Sequence, residues 1–221
     1  MSATSNAQYL VRSYLFLRKS LGYIGIALPF VLIIGKILLE SPGISDSISS
    51  YYYSVMRNVF VGILCAIGIF LICYRYERLD NILGIVAGCS AICVALLPTA
   101  PNVGATDQQV IIGWLHLLFA VCFFLIIAVF ALFLFRRTDP NKNPTRRKQQ
   151  RNTIYLICGI TIVACVLLIP LINILPGNTW LQPLHPVFWL ESLALWAFGF
   201  AWLVKGETIL KDESRELRYL G

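Results

Sequence analysis

Six apolar stretches, separated by short polar connections, run through the 221 residues of this chain. A transmembrane helix needs about 20 mainly apolar residues to cross the hydrocarbon core of a bilayer. Each stretch comes close to that length, and such a pattern indicates that lipid surrounds the chain. The pattern therefore predicts six transmembrane helices, over residues 21–39, 58–74, 82–98, 110–135, 153–175 and 187–204.

These helices predict an all-α, polytopic membrane protein built as a bundle of six transmembrane helices. Residues 1–20 are expected to form an interfacial N-terminal segment, residues 21–204 the transmembrane domain, and residues 205–221 a C-terminal tail. No small-residue cleavage pattern follows the first apolar stretch, so we expect it to be a retained signal anchor. Pro29 and Pro170 fall inside predicted helices, where they predict kinks.

Charge placement predicts the orientation of the bundle. The chain is 58% hydrophobic and 13% charged, with a net charge of +7. Sixteen of its eighteen Lys and Arg residues lie in the two terminal segments and in the connections after helices 2 and 4. Cytoplasmic loops carry such an excess. Both termini are therefore predicted to be cytoplasmic, and the charge is a topology signal that does not indicate nucleic-acid binding.

The connection between helices 4 and 5 holds seven of these basic residues. It either serves orientation alone or also binds anionic lipid headgroups. The seven cysteines all fall inside apolar stretches, and Cys89 and Cys93 lack a second pair of ligands. They are expected to be small apolar residues, so neither a metal nor another cofactor is predicted.

Ionisable side chains inside membrane spans are expensive, so they indicate function or pairing. Four such side chains come from four different helices and lie near the predicted outer side: Lys36, Arg57, His116 and Glu191. His116 lies roughly 9 Å, and Glu191 roughly 6 Å, below the outer ends of their helices at 1.5 Å per residue. We therefore expect a polar cluster in the outer half of the bundle.

The connection over residues 41–56 is predicted to be a lid over this cluster. It is rich in Ser and Tyr and contributes one carboxylate, Asp46. The candidate ligand-binding residues are thus Lys36, Asp46, Arg57, His116 and Glu191.

Three interpretations of the cluster remain open. Glu191 pairs with Arg57 or Lys36 and simply locks the bundle. Alternatively, the cations bind an anionic headgroup or solute, which makes the protein a non-enzymatic binder of a lipid or small amphiphile. This second interpretation is the leading hypothesis. The third is chemistry, in which His116 and Glu191 serve an intramembrane hydrolase or transferase, or a proton- or ion-coupled transporter. The chain lacks HExxH, GxSxG and P-loop motifs.

Small residues spaced four apart predict close helix contacts. Gly84 and Gly88 form a GxxxG pattern in helix 3, and Ala197 and Ala201 form a looser one in helix 6. This spacing serves either packing within the bundle or a homo-oligomer.

Several local patterns carry a resemblance to a known family. They are the polar stretch at residues 45–50 (SDSISS), the FVG at 60–62, the GWLH at 113–116 and the ESLAL at 191–195. Together with the topology they make the chain similar to the DRAM/Frag-like group of six-helix membrane proteins. The resemblance implies a lipid-associated or regulatory membrane role without established catalytic residues. Because the group has bacterial relatives, it also implies a bacterial inner membrane.

Overall fold

The protein is described here from a computed structural model, which places residues 3–101, 103–138, 141, 143–174 and 181–210. Over these residues the fold is all-α, as the sequence predicts, and no strand occurs in them. The six helices are α1 (Ala3–Leu39), α2 (Arg57–Ile72), α3 (Arg78–Leu96), α4 (Asp107–Val129), α5 (Arg146–Ile174) and α6 (Pro186–Lys205).

Five of the six helices, all except α2, are long and apolar enough to cross a membrane. Helix α2 is apolar but has only 16 residues. At 1.5 Å per residue it measures about 24 Å, against about 30 Å for the hydrocarbon core. The composition is that of a helical membrane protein.

Two helices extend beyond the apolar stretches that predicted them. Helix α1 has 37 residues and α5 has 29, so they measure about 55 Å and about 44 Å. Hydrophobicity marks the part of a helix that lipid surrounds, and it says nothing about a polar continuation. The segment before residue 21 is therefore, from Ala3 onward, continuous with α1. The C-terminal tail lies outside the described residues after 210.

The helices form a closed ring in chain order. Each helix packs against the next, and α6 packs against α1. Buried aromatic rings fill the middle of this ring: Phe123 and Phe198 are 6.1 Å apart between centroids, as are Phe198 and Trp202, and Trp202 contacts Phe130 at 6.0 Å. The inside of the ring is consequently a packed aromatic core.

Glycines bring two pairs of helices into backbone contact. A Cβ atom on Gly88 of α3 would lie 2.4 Å from the carbonyl oxygen of Gly68 in α2. One on Gly199 of α6 would lie 2.6 Å from the carbonyl oxygen of Gly22 in α1. The GxxxG of helix 3 thus serves contacts within this bundle.

Candidate functional site

The connection between α1 and α2 folds into a compact cap over one end of the ring. The backbone N–H of Ser47 donates to Oγ of Ser50 at 2.8 Å, and the N–H of Ser50 donates to Oγ of Ser47 at 3.0 Å. A 3-10 helix, Ser49–Tyr53, follows directly. From here on the name lid is kept for residues 45–53, the folded part of the connection over residues 41–56. Because Ile48, Ser49 and Tyr51 are buried, the lid is packed into the bundle.

Helix α6 holds the lid at three points. Oε2 of Glu191 accepts the backbone N–H of Ile48 at 2.6 Å, and the N–H of Phe188 donates to the carbonyl oxygen of Asp46 at 3.0 Å. Nδ1 of His185 lies 3.2 Å from Oδ1 of Asp46. The carboxylate of Glu191 is thus engaged by the backbone of the lid.

Helix α4 holds the lid through His116. A capping box of Thr106 and Gln109 begins this helix and sets the position of the histidine, two turns further on. His116 is only 4% exposed. Its Nδ1 lies 2.6 Å from the carbonyl oxygen of Leu97, and its Nε2 lies 2.9 Å from Oγ of Ser49.

The two cations of the predicted cluster also contact the lid. Nζ of Lys36 donates to Oγ of Ser45 at 3.1 Å. The guanidinium of Arg57 donates to the hydroxyl of Tyr52 and lies 4.1 Å from the centre of its ring. No salt bridge joins Glu191 to either cation within the described residues. All five predicted residues therefore meet at one end of the bundle, but the lid connects them.

A small cavity, about 40 Å³ in volume, lies beneath the lid between α2, α3, α4 and α6. Ser49 and Glu191 line it on the polar side, and Phe60, Val94 and Phe123 are among its apolar neighbours. A water molecule occupies about 30 Å³ in the liquid, whereas pockets for small molecules measure about 300–1,000 Å³. With the lid closed, this cavity beneath the lid is too small for a lipid headgroup.

A much larger cavity, about 510 Å³ in volume, opens at the opposite end of the ring. The N-terminal parts of α1 and α5, the α2–α3 and α4–α5 connections and the end of α6 surround it. Its lining includes one carboxylate, Glu207, and six cations: Arg18, Arg75, Arg137, Lys148, Arg151 and Lys205. We call it the basic pocket.

Arg18 is one of two buried arginines in the lining of the basic pocket, at 8% exposure. Its guanidinium carbon lies 5.5 Å, 5.4 Å and 5.7 Å from the ring centres of Tyr14, Tyr74 and Tyr76. Nη2 donates to the hydroxyl of Tyr74 at 3.4 Å, while Nε has no hydrogen-bond partner within the described part of the chain. Because Arg18 also lines the basic pocket, its guanidinium is suited to bind an anion there.

The neighbours of Arg18 do not neutralise it. Burial raises the pKa of Tyr74 to about 12, so its phenol stays protonated at neutral pH. The carboxylates of Glu77 and Asp80 contact Arg137 instead, at 2.5 Å and 2.8 Å. The basic pocket therefore keeps an excess of positive charge next to aromatic walls.

Sequence reasoning missed this pocket because five separate segments build it. Their basic residues predicted the orientation and, for the α4–α5 connection, headgroup binding as an alternative, but not that the segments form one pocket. Tyr14 and Arg18 stand four residues apart on one face of α1, and Arg75 precedes Tyr76. This alternation of aromatic and cationic residues is the signal that would have indicated a binding surface.

Nothing in the described residues offers a metal site, since no three His, Cys, Asp or Glu side chains come together there. Comparison with known proteins adds no identity: no family model matches the chain, and neither a curated protein nor a solved structure matches it. The similarity to the DRAM/Frag-like group stays a sequence-based expectation.

Proposed function

We propose that all six helices cross a bacterial inner membrane, with both termini on the cytoplasmic side. The basic pocket supports this topology, because it collects α1 near its start, the α2–α3 and α4–α5 connections and the end of α6. These four segments share one end of the bundle only if each helix, α2 included, runs its full length. The clustered Lys and Arg residues at that end support a cytoplasmic location for it.

The protein binds an anionic lipid headgroup in the basic pocket, and membrane lipids are its partners. One observation carries this proposal: Arg18 is buried among aromatic rings, keeps an unmet donor and faces a cavity of about 510 Å³. This keeps the role of lipid or amphiphile binding expected from the sequence. It moves the binding site from the outer cluster to the inner end.

Two features support a lipid over a soluble anion and binding over transport. Helices α1 and α5 leave their apolar stretches beside the pocket, so the pocket lies at the depth of headgroups, where basic residues attract anionic lipid. Contacting rings from Phe123 to Trp202 fill the middle of the bundle. A polar path between the outer cluster and the basic pocket would have to displace them.

The test compares two arginines of α1. Arg18→Gln removes the buried guanidinium, whereas Arg12→Gln makes the same charge change at an exposed position outside the pocket. Retention of dioleoyl phosphatidylglycerol by the full chain in dodecyl maltoside is measured by native mass spectrometry. A charge-assisted hydrogen bond contributes about 1.5–3 kcal/mol, so Arg18→Gln should weaken binding about tenfold or more. Arg12→Gln should change it less than about twofold.

Further measurements distinguish a lipid headgroup from a free phosphate. A second pair of variants shows whether an effect comes from misfolding. Dioleoyl phosphatidylcholine should be lost readily, and glycerol phosphate should not compete at millimolar concentration. Arg75→Gln and Arg78→Gln provide a second matched pair, since both are exposed but only Arg75 lines the pocket. Equal retention of both lipids, or equal effects within both pairs, would refute the proposal.

A further inference from the structure

Ser49 and His116 stand in the relation of a nucleophile to its base. Oγ of Ser49 lies 2.9 Å from Nε2 of His116, and Nδ1 of the same ring lies 2.6 Å from the carbonyl oxygen of Leu97. Sequence reasoning paired His116 with Glu191 and did not single out Ser49. The structure instead brings Glu191 to the neighbouring amide, that of Ile48.

The contact with Leu97 determines which nitrogen of the imidazole carries the proton. A carbonyl oxygen can only accept, so Nδ1 must be the donor. In the neutral ring Nε2 is then an acceptor, and the hydroxyl of Ser49 must donate to it. The serine proton therefore already points at the lone pair that would remove it, and a third group holds the base in place.

The backbone explains why the carbonyl of Leu97 is available. Leu97 follows the last residue of α3 with φ −94° and ψ 113°, an extended conformation that turns its carbonyl out of the helical pattern. Ser49 is the first residue of the 3-10 helix of the lid, and it lines the cavity beneath the lid. The C-terminal end of α3, the start of the 3-10 helix and α4 thus meet at Ser49 and His116.

The surroundings indicate the class of substrate. Ser49 lines the small cavity beneath the lid, whose other walls are mainly apolar side chains from α2, α3, α4 and α6. An acyl chain suits such walls, and an ester carbonyl at its end would lie next to the serine. The cavity of about 40 Å³ must widen to admit this group while Ser49 stays on His116. Glu191, which accepts the amide of Ile48, is one of the contacts that hold the lid next to this cavity.

We propose that Ser49 and His116 form a catalytic pair that cleaves acyl esters of membrane lipids, an activity separate from binding in the basic pocket. Oγ of Ser49 bonds to the carbonyl carbon while its proton passes to Nε2 of His116. The ester C–O bond then breaks, and the departing alcohol takes that proton. Water, deprotonated by His116, attacks the acyl-serine, so the products are a fatty acid and the free serine.

The amide of Ile48, the residue before Ser49, is a candidate donor for the oxyanion. In the closed lid it donates to Glu191. Breaking the single contact with Glu191 releases this N–H next to the serine, where it can stabilise developing negative charge. Glu191 is therefore a positioning residue that controls access and does not react itself.

The experiment measures covalent labelling of the full chain in nanodiscs by a fluorophosphonate probe with a short alkyl chain. The modified residue is identified by mass spectrometry of peptides. The adduct is expected at Ser49 and should be absent in Ser49→Ala. His116→Gln keeps a hydrogen-bonding side chain but removes the base, and its labelling rate should fall about 100-fold or more.

Three controls keep the test decisive. Ser41→Ala changes an exposed serine of the same connection and should leave labelling unchanged. Glu191→Gln weakens the contact that holds the amide of Ile48 and should speed labelling at Ser49. Thermal unfolding confirms that each variant is folded. The proposal is wrong if neither the wild type nor folded Glu191→Gln forms the adduct. It is equally wrong if folded His116→Gln reacts at the wild-type rate.

Discussion

The contact between α2 and α3 allows a quantitative prediction about packing. Gly68 and Gly88 face each other so closely that a Cβ atom on Gly88 would lie 2.4 Å from the carbonyl oxygen of Gly68 and 2.6 Å from Cγ1 of Ile72. A carbonyl oxygen cannot rotate away as a side chain can. The substitution Gly88→Ala must therefore push the two helices apart.

The net effect combines two opposing contributions. Replacing Gly by Ala inside a helix favours folding by about 1 kcal/mol. Inserting a methyl group into a filled contact costs about 1–3 kcal/mol. Because the obstructing atom belongs to the backbone, the cost should fall in the upper part of that range. We expect Gly88→Ala to lower the free energy of unfolding by about 1–2 kcal/mol.

The matched control is Gly62→Ala in α2. A Cβ atom there would meet nothing within 4 Å, so only the helix-propensity gain remains. This variant should be neutral or stabilised by up to about 1 kcal/mol. Unfolding of both variants is followed by circular dichroism against increasing mole fraction of sodium dodecyl sulfate in mixed micelles.

Two results would contradict the reasoning. Equal stabilities of the two variants would mean that α2 and α3 do not approach as closely as described. A change confined to oligomer distribution, seen by crosslinking without any loss of stability, would mean that the GxxxG of helix 3 joins copies of the chain.

Two further predictions concern the end of the bundle that carries the basic pocket. Asp80 is 2% exposed and contacts Arg137, whose side chain is 36% exposed. The substitution Asp80→Asn should therefore lower the free energy of unfolding by about 1–3 kcal/mol in the same unfolding assay. Glu77→Gln, which removes the exposed partner of the same arginine, should cost less than about 1 kcal/mol, and equal losses would argue against the buried pair. Burial raises the pKa of Tyr74 from 10.0 to about 12. The neutral phenol therefore supports folding below pH 10, and that support is lost as pH rises through 12. Absorbance at 295 nm, compared between the wild type and Tyr74→Phe, should show this ionisation near pH 12 in the folded protein; a midpoint near 10 would be contrary evidence.

The sequence by itself determined where the helices are and which of their ends carry the positive charge. Runs of about 20 apolar residues identify helices because only lipid tolerates them, and Lys and Arg collect at one end because crossing the bilayer is expensive. The same cost explains why Lys36, Arg57, His116 and Glu191 could be expected to gather at the other end. These are properties of single residues and of local sequence.

Only the tertiary structure decided which groups touch. Glu191 engages the amide of Ile48 and not a cation, and His116 engages Ser49, because the lid folds between the helices. The basic pocket required five distant segments to meet around Arg18. Hydrophobic periodicity reports the solvent of each residue, lipid or water, whereas the partner of a side chain depends on distances between segments far apart in the chain.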